Sequence, residues 1–247
     1  MNPVICSMAR TPIGRFNGGL TPLKATELAT EAMKGAVDRA GLPAGEIAEV
    51  IFGHVIQAGQ GQASARLAAS NAGVPMSVPA TVINKVCLSS MTAIQDAGRR
   101  IRLGEAEFIL AGGMESMTNA PHILLGARQG FRYGDATLAD SLNQDGLRCA
   151  FDRCMMGETT DRKNELLGIG RTEQDEWAAA SHERAAAATK AGNFEDEIVP
   201  VAVPQRRGDP ILIEADEGIR PETTVDTLSR LRPAFDPNGT VTAGNAS

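Results

Sequence analysis

Apolar residues in the first half of the chain fall into short runs and helically spaced sets that alternate along the sequence. Between residues 23 and 40 they recur every three or four positions, which predicts an amphipathic helix. Thr21 and Pro22 are placed to start this helix and Gly41 to end it. Strands are predicted at 4–8, 50–56, 81–86 and 108–111, and further helices at 64–71 and 88–103.

This alternation predicts an α/β fold with a mostly parallel sheet and helices on its faces. Ligands in such sheets bind beyond the carboxyl ends of the strands. Cys87 directly follows the predicted strand 81–86 and precedes a helix. The pattern therefore indicates Cys87 as a candidate site residue.

The second half of the chain begins with a different pattern. Residues 114–157 are rich in Gly, Asp, Asn and Arg without a clear period, which predicts a long ordered loop. Thr172 is a good cap for an Ala-rich helix that runs to Gly192. Two short strands, 198–203 and 211–213, flank a predicted turn at 207–210.

Charge and cysteine usage exclude several classes of protein. The net charge is −6 with both signs mixed, which argues against nucleic-acid binding. No apolar run is long enough to cross a bilayer, and residues 1–6 do not resemble a secretion signal. The four cysteines suggest no disulfide framework, so a reducing, cytoplasmic location is predicted. Cys149 and Cys154 lack the additional ligands that zinc needs, and no metal site is predicted.

Cys87 is suited to nucleophilic chemistry by its position before a helix. The helix dipole stabilises a thiolate there by about 0.3–1 kcal/mol, at most about 2 kcal/mol. A working nucleophile also needs an adjacent base, because the dipole alone is too weak. Position alone favours a small buried hydrophobic residue over a nucleophile. The sequence around Cys87 and along the rest of the chain favours the nucleophile.

The chain resembles the thiolase family over its whole length. The matching segments are Arg10-Thr11-Pro12-Ile13-Gly14, Gln57-Ala58-Gly59-Gln60-Gly61-Gln62, Ile83-Asn84-Lys85-Val86-Cys87-Leu88-Ser89, Ala111-Gly112-Gly113-Met114-Glu115-Ser116-Met117, Asp196-Glu197-Ile198-Val199-Pro200, Leu231-Arg232-Pro233-Ala234-Phe235 and Gly239-Thr240-Val241-Thr242-Ala243-Gly244-Asn245-Ala246-Ser247. The resemblance implies an acyl-CoA C-acyltransferase that forms or cleaves 3-oxoacyl-CoA. It also implies a layered αβαβα fold, of which residues 1–118 would form an N-terminal core half and residues 119–247 an inserted loop domain.

The resemblance assigns roles to individual residues. Cys87 matches the family's acyl-carrying nucleophile. Met156 matches a position beside the pantetheine tunnel, Arg220 one near the nucleotide end of CoA, and Ser247 a pantetheine contact. The pair Arg206-Arg207 is a second cationic candidate.

Two residues depart from the family pattern. Ser90 stands where the family usually has glycine, so its side chain is expected to crowd the acyl pocket or alter the approach of the helix. Met155 stands where some members have histidine, which leaves the polarity of the CoA tunnel open.

The resemblance also implies a second half that these residues do not contain. That half would carry Asn-Glu-Ala-Phe, Gly-His-Pro and Cys-x-Gly-Gly segments, none of which occurs here. His54, His122 and His182 are not expected to replace the missing histidine. Residues 1–247 alone are therefore predicted to be inactive and to require the C-terminal half.

Partners follow from the same resemblance. Acyl-CoA and CoA are the expected substrates, without any further cofactor, and a homodimer or homotetramer is the expected assembly. Binding to nucleic acid or membrane is not expected. Two alternatives stay open: a noncatalytic CoA-binding or oligomerising protein that kept the fold, and a related condensing enzyme.

Overall fold

The computed structural model describes residues 2–246 and divides them into two compact units. The first comprises residues 2–146 and 196–217, and the second residues 147–195 and 218–246. The helices are α1 Ala25–Ala40, α2 Ser64–Asn71, α3 Ser89–Leu103, α4 Met156–Leu167, α5 Arg171–Lys190 and α6 Val225–Ser229. The strands are β1 Glu49–Gly53, β2 Ala80–Ile83, β3 Ile109–Gly113, β4 His122–Ile123, β5 Ala139–Asp140, β6 Val201–Val203 and β7 Ile211–Ile213.

A three-stranded sheet with the order β2-β1-β3 forms the centre of the first unit. Both pairings are parallel, with Val50 opposite Ala80 on one side and opposite Leu110 on the other. The predicted parallel α/β arrangement is confirmed. Because the strands are parallel, their carboxyl ends lie at one edge of the sheet, and Cys87 follows the end of β2.

The core of the first unit lies on both faces of β1, whose five residues are all buried. On one face, Val50 and Phe52 pack in a cluster with Met33 of α1 and the alanines of α2. On the other face, Ile51 packs against Ala93 and Ala97 of α3. Because alternate residues of a strand point to opposite faces, β1 packs against α1 and α2 on one face and against α3 on the other.

Two short antiparallel pairs complete the first unit. β4 pairs with β5, and β6 pairs with β7 in the hairpin expected around residues 207–210. Val201 and Val203 pack with Leu20 and Leu23 in a separate small apolar cluster.

The second unit consists mainly of α4, α5 and α6. Asp175 and Ala178 of α5 and Leu228 of α6 are buried. α4 was not predicted, because its polar sequence merges with the preceding glycine-rich stretch and lacks an apolar period. α5 begins one residue before the predicted cap Thr172 and is confirmed as an Ala-rich helix.

Two sequence predictions in the first unit are wrong. Residues 4–8 do not form a strand, and Val4 and Ile5 are 76% and 80% exposed. α1 begins at Ala25 rather than near Pro22, because Glu27 caps the helix by accepting the N–H of Lys24. Its predicted end is confirmed: Gly41 adopts a left-handed conformation with φ 62°.

The compact units are separated at different residues from the boundary predicted at 118/119. The predicted boundary is the position in the sequence where the inserted segment would begin. The two compact units are instead defined by which residues pack together in space. The boundary at 118/119 stays a prediction.

Candidate active site

Cys87 lies in a tight connection between β2 and α3 that its neighbours hold in place. The Ser89 hydroxyl accepts the N–H of Lys85 at 2.8 Å and donates to the carbonyl of Val86 at 2.6 Å. The side-chain oxygen of Asn84 accepts the N–H of Val86 at 3.0 Å. Val86 has φ 51°, which is unfavourable for a β-branched residue. The connection therefore stores backbone strain next to Cys87, as functional turns often do.

The start of α3 comes close to the sheet because two glycines face it. A Cβ on Gly53 would lie 2.5 Å from the Ser90 backbone nitrogen, and one on Gly113 would collide with the Ser90 side chain, at 2.9 Å from its Cβ and closer still to its hydroxyl. The Ser90 side chain thus lies against Gly113 of β3, where the family's glycine would leave space. The effect of Ser90 on an acyl pocket stays a prediction.

We expect Gly113→Ala to destabilise the protein by about 1–3 kcal/mol, because the added methyl group overpacks the contact with Ser90. Combining it with Ser90→Gly should restore much of this loss, since the colliding atoms are then removed. Urea unfolding of the two single variants and the double variant measures the coupling. Additive effects of the two substitutions would contradict the described packing.

The Cys87 side chain is exposed and its thiol has no hydrogen-bond partner among residues 2–246. α3 also has no side-chain cap, so no side chain competes for the N–H groups at its start. A substrate can therefore reach the sulfur, and the helix start can interact with a negative charge there. A cysteine nucleophile also needs a neighbouring base, and residues 2–246 place none within hydrogen-bonding distance of the Cys87 thiol.

Two of the three histidines hydrogen-bond to residues other than Cys87. His54 is 1% exposed, and its Nδ1 lies 2.9 Å from the hydroxyl of Ser64. His182 accepts the backbone N–H of Arg220 at 3.2 Å. His122 is exposed in β4. None of these contacts involves Cys87.

His54, Ser64 and Glu115 form a polar cluster after β1, in which His54 and Ser64 are buried and Glu115 is partly exposed. The Glu115 carboxylate lies 3.5 Å from His54 Nε2 and accepts the N–H of Val55 at 3.0 Å. A Ser–His–Glu set could suggest hydrolase chemistry, but Ser64 is only 2% exposed. The cluster instead fixes the loop after β1 against the start of α2.

The candidate CoA residues Met156 and Arg220 belong to the second unit, whereas Cys87 belongs to the first. Met156 is the first residue of α4 and is about half exposed. The ring of Phe235 lies against the adjacent Gly157, where a Cβ would collide with it. Arg220 is exposed, as a phosphate-binding side chain must be before its ligand arrives. Ser247 lies outside the described residues.

Two aspartates that the sequence analysis did not identify hold the segment 240–246. Asp161 accepts the N–H groups of Thr240 and Val241 at 2.7 and 2.9 Å. Asp175 accepts from the Asn245 side chain at 2.9 Å and from Arg171 at 2.7 Å. The Gly-Asn-Ala segment before Ser247 is therefore built into the second unit through buried carboxylates.

A carboxylate pair anchors the segment 10–19 in the first unit. The Arg10 guanidinium donates to Asp216 at 2.7 and 3.0 Å, and the Ile13 N–H donates to the same carboxylate. Burial would raise the pKa of Asp216, but these hydrogen bonds outweigh it and hold the pKa below its ordinary value. The N–H groups of Arg15 and Gly19 likewise lower the pKa of Glu217.

These lowered pKa values make the anchoring dependent on pH. A carboxyl whose pKa is lower in the folded state adds stability above its unfolded-state pKa and loses it as pH falls through the folded-state value. We expect Glu217→Gln to be less stable than the wild type at pH 7, and the difference in the free energy of unfolding to be smaller at about pH 3, which lies below the ordinary pKa of a glutamate. Urea unfolding at the two pH values tests this, with Glu214→Gln at an exposed neighbouring position as the control. A stability difference that persists unchanged at low pH would contradict it.

Across residues 2–246, the structure contains no group of three or more His, Cys, Asp or Glu side chains suited to a metal ion. Within the same residues no helix has the length and apolar character needed to span a membrane.

Comparison with known proteins identifies the relatives of this chain. The family model for "Thiolase, N-terminal domain" matches residues 3–247. A probable acetyl-CoA acetyltransferase of Mycolicibacterium smegmatis is 50% identical over 244 residues, 99% of this chain and 63% of its own length. The acetyl-CoA acetyltransferase of Cupriavidus necator is 49% identical, with 99% of this chain and 62% of its own length covered.

A solved structure confirms the predicted fold class. The crystal structure of the Bacillus anthracis acetyl-CoA acetyltransferase superposes with a TM-score of 0.95 at 39% identity. The match covers 99% of this chain and 61% of that protein. The chain thus spans less than two thirds of the length of these relatives.

Proposed function

The chain belongs to the thiolase family, and on that premise we propose that it carries the nucleophile of an acyl-CoA C-acyltransferase. The enzyme forms or cleaves 3-oxoacyl-CoA. Cys87 is the proposed nucleophile. The observation that carries this role is its exposed, unpartnered thiol in a strained turn at the carboxyl end of a parallel strand.

The proposed reaction has two steps at the Cys87 sulfur. In the first, the thiolate attacks the thioester carbonyl carbon of an acyl-CoA, the bond to the CoA sulfur breaks, and free CoA takes up a proton. In the second, the α-carbon of another acyl-CoA loses a proton and attacks the acyl-cysteine carbonyl. The new C–C bond gives 3-oxoacyl-CoA and returns the thiolate. Cleavage of 3-oxoacyl-CoA is the reverse of these steps.

The first step needs an acid to protonate the departing CoA sulfur and the second a base to take the α-carbon proton, and residues 2–246 place neither within hydrogen-bonding distance of the Cys87 thiol. The relatives have additional length beyond the part that this chain matches. We propose that the complete activity requires this additional portion and that residues 1–247 alone do not turn over.

CoA binding is proposed at Met156, Arg220 and Ser247. A guanidinium binds phosphate or stacks on adenine, and the exposed Arg220 is free to do either. CoA thioesters are proposed as substrates, with no other cofactor. A homodimer or homotetramer in the cytoplasm, acting in fatty-acid metabolism, completes the proposal.

A noncatalytic CoA-binding protein is the second candidate, because no base lies at the Cys87 thiol among the described residues. The two functions are separated by a chimera in which this chain is followed by the part of the Cupriavidus necator enzyme beyond the matched region. We expect the chimera to cleave acetoacetyl-CoA with added CoA and the 247-residue chain to show no turnover. A folded chimera that binds CoA without turnover would support the noncatalytic protein instead.

A further inference from the structure

Cys149 and Cys154 lie opposite each other in a short hairpin that leads into α4. Arg148 and Met155 form an antiparallel bridge, and next to it the Cys149 N–H donates to the Cys154 carbonyl at 2.9 Å. The four residues 150–153 close the hairpin. Both cysteines belong to the second unit, and both thiols are free in the structure. The backbone therefore brings together two thiols that the proposed acyl transfer does not use.

Hydrogen bonds within the turn keep the two cysteines in register. The Arg153 N–H donates to the Cys149 carbonyl at 2.9 Å, and Arg153 adopts a left-handed conformation with φ 54°. The Arg148 side chain donates to the Arg153 carbonyl at 2.7 Å. A shift of register between Cys149 and Cys154 would break these hydrogen bonds.

The spacing of this hairpin suits a disulfide. Residues directly opposite in an antiparallel pair carry their side chains on the same face, with Cα atoms about 5.5 Å and Cβ atoms about 4.5–5.5 Å apart. A disulfide needs about 4.4–6.8 Å between Cα atoms and about 3.5–4.5 Å between Cβ atoms. The Cα spacing is already suitable, and the Cβ atoms must approach by about 1 Å. Cys149 and Cys154 can therefore be joined by a small movement of the hairpin.

The two thiols differ in access and in contacts. Cys154 is 7% exposed, and its sulfur lies 3.2 Å from the hydroxyl oxygen of Thr159 in α4. Cys149 is partly exposed, and its sulfur accepts the N–H of Asp152 within the turn. A reagent from solution therefore reaches Cys149 first, while Cys154 stays protected beside it.

We propose that Cys149 and Cys154 are a reversible redox pair that low-molecular-weight disulfides, such as glutathione disulfide, oxidise. In the first step the Cys149 thiolate attacks one sulfur of the small disulfide, whose S–S bond breaks, and the released thiolate takes up the proton that Cys149 lost. In the second step the Cys154 thiolate attacks the Cys149 sulfur of this mixed disulfide. The second small thiolate leaves and takes up the proton of Cys154. One protein disulfide and two small thiols result.

The protein disulfide is labile rather than structural. Its formation draws the Cys154 sulfur away from Thr159 and pulls the hairpin strands together, and such strain makes a disulfide easier to reduce. A reducing compartment therefore keeps both thiols free, and the bond forms only during oxidation. This chemistry involves neither Cys87 nor CoA and goes beyond the proposed function.

Tryptic mass spectrometry tests the pair directly, because Arg148, Arg153 and Arg162 place the two cysteines in separate peptides. The 247-residue chain is incubated with glutathione disulfide, its remaining thiols are blocked with N-ethylmaleimide, and it is digested. We expect peptides 149–153 and 154–162 to be joined by a disulfide. Treatment with dithiothreitol before blocking should release both as free thiols.

Serine variants separate the two steps, and circular dichroism checks that each variant is folded. Cys154→Ser should stop at a mixed disulfide with glutathione on Cys149. Cys149→Ser should carry at least about tenfold less glutathione on Cys154, because that thiol is buried. Cys6→Ser removes an exposed thiol and is the matched control, which should leave the link between the two peptides unchanged.

The contribution of the hairpin is measured by repeating the oxidation in concentrated guanidinium chloride. Unfolding releases Cys149 from its position opposite Cys154, so glutathione adducts on both cysteines should replace much of the link. Three results would overturn the proposal. The first is a folded wild-type chain that keeps glutathione on Cys149 without a link to Cys154. The second is a disulfide from either cysteine to Cys6 or Cys87, and the third is an equal linked fraction in the folded and the unfolded chain.

Discussion

Replacing Cys87 by alanine in the chimera with the Cupriavidus necator portion is expected to lower kcat by at least about a thousandfold. The acyl-enzyme bond forms at this sulfur, and alanine offers no atom to carry the acyl group. The loss should appear in kcat rather than in KM, because Cys87 reacts with the substrate and contributes little to CoA binding.

Cys149→Ala provides the matched control for this prediction. Cys149 is a half-buried free thiol in the second unit, and its sulfur accepts the backbone N–H of Asp152. Its substitution should leave kcat within about twofold of the unsubstituted chimera. Comparable losses in both variants would indicate a structural effect and contradict the role of Cys87.

The largest expected effect on stability comes from Asp175→Ala, which should destabilise the second unit by about 3–5 kcal/mol. Asp175 is completely buried and accepts hydrogen bonds from Arg171 and Asn245. Removing the carboxylate leaves the Arg171 cation partly buried without its partner and releases the side chain of Asn245. Segment 240–246 should also lose protection in hydrogen exchange.

Asp226→Ala is the control for the buried pair. Asp226 and Arg230 form an ion pair on α6 with the same four-residue spacing, but both side chains are 73% exposed. Its loss should change the free energy of unfolding by about 0.5 kcal/mol or less. Similar values for the two aspartate variants would show that burial does not determine the contribution of Asp175.

The sequence predicted correctly those parts of the fold that depend on residues close together in the chain. The end of α1 at Gly41 and the end of α3 at Gly104 follow from glycine's access to the left-handed conformation. The helix α2 was predicted at its observed bounds. The alternation of apolar runs with helical periods also predicted the parallel sheet.

The sequence predictions were wrong or incomplete where contacts between residues far apart in the chain determine the structure. An apolar run such as residues 4–8 predicts a strand, but a strand also needs a neighbouring backbone, and those residues have none in the described structure. The aspartates Asp161 and Asp175 bind residues about 80 and 70 positions away. A single sequence contains no signal for pairings over such separations.

Two different kinds of sequence information predicted the candidate site. The position of Cys87 between a strand and a helix followed from periodicity, whereas its chemical role came from resemblance to the thiolase family. The packing of Ser90 against Gly113 could not be predicted, because it depends on how closely α3 approaches the sheet. The strain at Val86 likewise appears only in the backbone geometry.

The most direct measurement is intact-mass and peptide-level mass spectrometry of the chimera after incubation with acetyl-CoA. We predict one acetyl group, located on Cys87 and absent from the Cys87→Ala variant. An acetyl group found on another residue, or one that persists in the variant, would contradict the assignment of Cys87 as the acyl-carrying nucleophile.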